Sequence, residues 1–223
     1  MNFEHIPDKR LITGVSGTGK TTLYIRFIRE SRADYKFIFD HEGELSAKLR
    51  CRAAQTLDDL NRQTLAGVCV FDPSLMYPGR LPKAWNFFCD YVFSVSARLK
   101  GTKLIGCDEL QKLTGTNLCP TELCMVLETG RRYGIDFYCI SQSPNLIHTR
   151  IRNQITRVYT FQQIDERALR YLEQTGFDAD AVRALPPGLC AWRDLKTGRA
   201  ERITVFRPKQ RSAAVPATSA AAA

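Results

Sequence analysis

Gly14-Val15-Ser16-Gly17-Thr18-Gly19-Lys20-Thr21 fills every fixed position of the pattern G-x-x-x-x-G-K-[ST]. The apolar pair Leu11-Ile12 before it reads as the end of a strand, and Thr22-Leu23-Tyr24-Ile25-Arg26-Phe27-Ile28 after it carries apolar residues at helical spacing. A strand, a glycine-rich turn and a helix in that order make an anion cradle. Successive backbone N–H groups face a polyphosphate at the positive end of the helix, and the glycines let the backbone curl round the anion without side-chain clashes. Lys20 is expected to reach the outer phosphates and Thr21 to offer its hydroxyl to magnesium. The expected nucleotide contacts are Gly14, Val15, Ser16, Gly17, Thr18, Gly19, Lys20, Thr21 and Thr22.

Working outward from the loop, short β-branched and aromatic runs recur at residues 10–14, 36–40, 68–72, 103–108, 136–141 and 156–161. Between them Thr56 to Ala66, Pro82 to Leu99 and Pro120 to Tyr133 read as helices, each opened by Thr or Pro. That alternation predicts an α/β fold with a mostly parallel central sheet flanked by helices. Right-handed crossovers would gather the loops that follow the strands along one sheet edge. After Phe161 the pattern changes to a small extension. Helices are expected over Asp165 to Thr175 and Asp178 to Leu185, then a hairpin of Leu189 to Arg193 and Arg202 to Phe206 around Lys196-Thr197-Gly198. The expected organisation is one domain over residues 1–206, with a core at 10–162 and an extension at 163–206. From Arg207 onward a basic, Ala-rich tail over 207–223 has no apolar period and reads as disordered.

The 223 residues suffice to bury a core, and 44% hydrophobic with 25% charged residues is a globular balance that excludes fibrous and disordered classes. No run approaches the roughly 20 apolar residues of a membrane helix, and the start of the chain carries no secretory pattern. Eight cysteines sit mostly alone in apolar runs, with no C-x-x-C pair, so they read as reduced thiols of a cytoplasmic setting, and three scattered histidines argue against a zinc site. Net charge is +9, which favours a polyanionic partner.

Lys103-Leu104-Ile105-Gly106-Cys107-Asp108-Glu109 is an apolar run ending in two adjacent carboxylates. At a strand end Asp108 would hold magnesium and Glu109 would orient or deprotonate a water in line with the terminal phosphate. The second carboxylate favours hydrolysis over group transfer. Ile135-Asp136-Phe137-Tyr138-Cys139-Ile140-Ser141-Gln142 places a polar amide at the end of another apolar strand, where Gln142 would touch both the γ-phosphate and the attacking water.

Together with Phe39-Asp40-His41-Glu42-Gly43-Glu44 and Gly130-Arg131-Arg132-Tyr133-Gly134-Ile135, these segments resemble, in order and spacing, the HerA–FtsK superfamily of DNA-pumping P-loop ATPases. Over residues 10 to about 162 the chain is most similar to the genome-packaging ATPases of membrane-containing icosahedral viruses and phages (PRD1-type). The resemblance implies a RecA-like ASCE core that binds ATP and Mg2+ and works as a homo-oligomeric ring, a hexamer, around double-stranded DNA. It also implies partners at a capsid vertex and a place in the host cytoplasm and the virion. An arginine reaching a neighbour's nucleotide falls on Arg131 or Arg132 by the family motif, with Arg150, Arg152 and Arg157 as rivals. Asp40 and Glu44 either bind a divalent ion or water or cap the next helix, since His41-Glu42 replaces the family's Pro-His. Lys83, Arg98, Lys100 and Lys103 are possible DNA contacts, none assigned as a site.

Overall fold

The computed structural model describes residues 5–114 and 119–207. In chain order its strands are β1 Lys9–Thr13, β2 Tyr35–Phe39, β3 Val68–Phe71, β4 Lys103–Cys107, β5 Ile135–Ser141, β6 Arg157–Thr160, β7 Leu189–Asp194 and β8 Ala200–Thr204. They form a single eight-stranded sheet in the order β3-β2-β4-β5-β1-β6-β7-β8. The first six run parallel, and β7 and β8 add antiparallel at the β6 side. The six expected parallel strands lie within a residue or so of their positions in the sequence reading, and the expected hairpin turns at Lys196-Thr197-Gly198. The fold is the mostly parallel α/β fold anticipated from the phosphate loop.

Both faces of the parallel strands are covered, which is why those strands read as unbroken apolar runs. Period-two alternation splits them cleanly. Leu11, Phe37, Phe39, Ile105, Cys107, Phe137 and Cys139 enter one core cluster, and Ile12, Ile38, Leu104, Tyr138 and Ile140 enter the other. The second face is covered by α1 (Lys20–Glu30), whose Leu23, Tyr24, Phe27 and Ile28 are buried at helical spacing. A Cβ on Gly106 would lie 2.3 Å from the Tyr24 hydroxyl, so a bare backbone in β4 is what lets α1 approach.

The opposite face carries α3 (Leu57–Leu65), α4 (Leu81–Ser96) and α6 (Thr121–Thr129). Trp85, Phe88, Cys89 and Val92 form the inner stripe of α4, with the Trp85 ring 5.1 Å from Phe39 and the Phe88 ring 5.7 Å from Phe71. Truncating Phe88 to Ala would cost about 3–5 kcal/mol by the usual loss of transfer energy plus cavity. Thr56 caps α3 by accepting from Asp59 N at 3.1 Å. Beyond β6, α8 (Glu166–Gln174) and α9 (Ala179–Arg183) are capped by Asp165 and Asp178. The helix expected over Pro120 to Tyr133 stops at Thr129. Gly130–Tyr133 tightens into a 3-10 turn closed by Gly134, whose φ of 67° ends it. Short helices α2 (Glu44–Leu49), α5 (Leu110–Thr114) and α7 (Thr149–Arg152) complete the described part.

The structure also departs from the sequence expectations at Lys103 and at one pair of cysteines. Lys103 is not a surface cation: it is 1% exposed, and its ammonium donates to the carbonyls of Leu99, Gly101 and Tyr133 at 2.6, 2.9 and 3.0 Å. Cys119 and Cys124 are joined in a disulfide, so the expectation of reduced thiols fails at this pair; the six other cysteines are free, and five of them are buried. The expected disordered tail, apart from Arg207, lies outside the described residues. No helix among the described residues is long and apolar enough to cross a membrane.

Candidate active site

Strand order assembles the site. Because β5 lies between β1 and β4, the phosphate loop after β1, Gln142 after β5 and Asp108-Glu109 after β4 stand side by side at one sheet edge. Register keeps them level: Thr13 is opposite Ser141, and Cys107 is opposite Cys139.

The loop is closed on itself. Lys20 Nζ and Thr18 Oγ1 each donate to the Val15 carbonyl at 2.8 Å, and Val15 N donates to the Gln162 carbonyl at 2.9 Å. Gly14, Gly17 and Gly19 have φ of 145°, 77° and 118°, backbone states that a side chain would strain. Thr21 and Thr22 open α1 beside them. Gln163, 2% exposed, donates to Thr13 Oγ1 at 2.9 Å and to the Gln142 carbonyl at 2.8 Å, tying the strand of the loop to the end of β5. The sequence reading passed over Gln163, whose only signal is a glutamine after an apolar strand.

Gln142 Nε2 donates to Glu109 Oε1 at 2.7 Å. Glu109 sits at a φ of 47°, strained for a non-glycine residue, and its N–H donates to Asp108 Oδ1 at 2.7 Å. Lys112 ion-pairs with Glu109 and donates to Glu42 Oε1 at 2.9 Å, a bridge the sequence reading also missed. The i, i+3 spacing of Glu109 and Lys112 was its only local signal. The His41 side chain, 8% exposed, stands 3.7 Å from Glu42, and its Nε2 has no hydrogen-bond partner among the described residues. Burial holds that imidazole below the usual histidine range.

Charge in the site is unevenly compensated. Burial pushes the Asp108 carboxyl up to about 6, and the nearby Glu109 and Glu42 add to the rise. Burial would raise Glu109 as well, but Lys112 and the Gln142 amide together hold it below the ordinary carboxylate range. The Lys20 ammonium is lowered by burial, against the pull of Asp108 and Glu109. Asp108 is thus a carboxyl short of positive charge beside a phosphate-type loop, and a divalent cation there supplies what it lacks, so the donor set fits magnesium.

Asp40 serves the fold, since its Oδ2 accepts from Ser46 N at 2.8 Å and caps α2, while Glu44 pairs with Lys48 on the exposed face. Arg131 and Arg132 are exposed in the turn before β5, at the opposite sheet edge from Gln142. The seven residues of β5 put roughly 20 Å between these edges. The structure therefore does not bring either arginine to its own chain's phosphate loop. Of the other candidates, Arg150 grips Glu128 at 2.6 and 2.7 Å, Arg157 bonds Asp8 and Asp194, and Arg152 lies over the Tyr171 ring.

No known family model matches the sequence, and no curated protein sequence does. Solved structures match its fold. The genome-packaging NTPase B204 of Sulfolobus turreted icosahedral virus 2, in complex with AMPPCP, is similar at a TM-score of 0.66 and 18% identity over 88% of this chain and 96% of that one. The pCW3 conjugation coupling protein TcpA with ATPγS gives 0.60 and 13% over 90% and 60%. EssC (ATPases 2 and 3) of Geobacillus thermodenitrificans gives 0.58 and 14% over 91% and 40%. At these identities the likeness is one of fold, and it agrees with the resemblance read from the motifs.

Proposed function

We propose that this chain is an ATP-hydrolysing motor that moves double-stranded DNA into a preformed viral capsid. One observation carries the reading: Gln142 holds Glu109 at the sheet edge where the Lys20 loop opens, so an amide, a carboxylate and an ammonium share one phosphate site. In hydrolysis Lys20 leaves the Val15 carbonyl and binds the outer phosphates, and Glu109 orients a water and takes its proton. Gln142 bridges Glu109 and the γ-phosphate, so nucleotide state is felt at β5. Thr21 and Asp108 would hold Mg2+, which when bound neutralises charge on the phosphates.

Position decides how the arginines act. With Arg131 and Arg132 at the far edge, either one would serve a nucleotide across a subunit boundary, and this reading therefore includes a homo-oligomeric ring, a hexamer. The likeness in fold to B204, a genome-packaging NTPase, supports the packaging reading. Capsid-vertex proteins as partners and sites of action in the host cytoplasm and the virion belong to the same reading. ATP turnover by the full chain tests it. Stimulation by linear duplex DNA, with loss in Lys20→Ala, supports a motor. Slow turnover indifferent to DNA supports a nucleotide-dependent protein-binding switch instead.

A further inference from the structure

The sheet order gives the phosphate loop two unlike sides. Glu109 and Gln142 occupy the β4 and β5 side, so a triphosphate whose end they hold must run across β1 and leave its nucleoside over β6 and the hairpin beyond. What stands on that side is a built surface. Gly188, just before β7, donates from N to the Thr18 carbonyl at 3.0 Å, and Val205, just after β8, donates from N to the Gly188 carbonyl at 2.7 Å. These two bonds fasten the end of the hairpin to the phosphate loop and fix the next residue, Phe206.

The Phe206 ring is half-buried and lies against the loop itself. A Cβ built on Gly19 would fall 2.7 Å from Phe206 Cε1 and 3.1 Å from Phe161 Cε1. Phe161 is fully buried beneath the loop, with a Cβ on Gly14 only 2.7 Å from its own Cβ, so it packs as core. Phe206 rests on the same glycine and, unlike Phe161, is only partly buried. An aromatic residue left partly buried and held by backbone bonds beside an anion cradle suits a flat apolar ligand surface.

We propose that Phe206 is the stacking platform for the base of the bound nucleotide, so that the end of the C-terminal hairpin forms the nucleoside half of the site. The proposal rests on the reading of the loop as a nucleoside triphosphate site. Stacking uses the π-face that every base presents, so this contact favours nucleotides over bare polyphosphate and the larger purines over pyrimidines.

The test compares ATP with inorganic tripolyphosphate, both bound by calorimetry to the full chain. Phe206→Ala is expected to weaken ATP about tenfold and leave tripolyphosphate within about twofold, with Phe206→Tyr restoring ATP. Equal weakening of both ligands makes the ring a brace for the loop and overturns the proposal, as does no change in either. Should Phe206→Ala not fold, Phe206→Trp gives a second readout. Its fluorescence, less that of wild type, is expected to respond to ATP and not to tripolyphosphate, and an equal response or none overturns the proposal. A wild-type chain that binds neither ligand instead refutes the nucleotide reading itself.

Discussion

Gln142 and Glu109 lie 33 residues apart, just past the ends of neighbouring strands, yet the amide of one donates to the carboxylate of the other at 2.7 Å. The contact joins the two strand ends on which the proposed chemistry depends, so it makes separable demands on the two residues. Glu109→Gln is expected to lower kcat by at least about 100-fold with ATP binding kept, since a base is lost and a hydrogen bond is not. Gln142→Ala is expected to lower kcat by about 10-fold and to blunt the response to DNA. Single-turnover hydrolysis alongside nucleotide binding separates these outcomes from a general loss of fold.

Lys112 holds the other oxygen of Glu109 and is itself held by Glu42. Lys112 is half-exposed while Glu109 is buried, and breaking the pair releases the carboxylate and raises its basicity. Lys112→Met is therefore expected to raise DNA-independent turnover by about 2- to 5-fold. A fall in turnover with binding intact would mean that Lys112 is needed where it stands.

Asp108 links the site to stability. Its carboxyl titrates at about 6 in the fold against about 3.9 in an unfolded chain. The folded protein therefore holds this proton more tightly: the group favours folding below about pH 4 and opposes it increasingly as pH rises through 6. Asp108→Asn removes the penalty, so without nucleotide its Tm is expected to exceed wild type by about 2–5 °C at pH 8, a gap that closes towards pH 4, while turnover is lost. Thermal melts at the two pH values check the sign.

Arg131 and Arg132 stand across the sheet from the phosphate loop of their own chain. If one of them completes a neighbour's site, mixing Arg131→Ala or Arg132→Ala protein with Lys20→Ala protein restores a measurable fraction of turnover, because some boundaries pair an intact loop with an intact arginine. Absence of recovery in both mixtures, with subunit exchange shown by labelled chains, would place the function of the arginines elsewhere.

The six parallel strands were legible because burial on both faces leaves runs such as Phe37-Ile38-Phe39 with no polar interruption. Helices α2, α5 and α7, of six, five and four residues, are too short to show a period and were not. The phosphate loop and the acidic pair were readable because each is local in sequence. Lys112 with Glu42 was not, since that contact joins α5 to the loop after β2, 70 residues apart. Lys103 misled for a related reason: a lysine at a strand start reads as a surface charge until carbonyls from its own preceding turn and from the turn before β5 converge on it. The partners of Arg150 and Arg157 were not legible either, because their ion pairs with Glu128, Asp8 and Asp194 are tertiary.

The most direct test is a crystal structure of the chain with Mg2+ and a non-hydrolysable ATP analogue. The account predicts a γ-phosphate bound by Lys20 and Gln142, with a water between it and Glu109. A triphosphate held elsewhere, or one lying in the loop with Glu109 and Gln142 turned away and no water on that side, would contradict it.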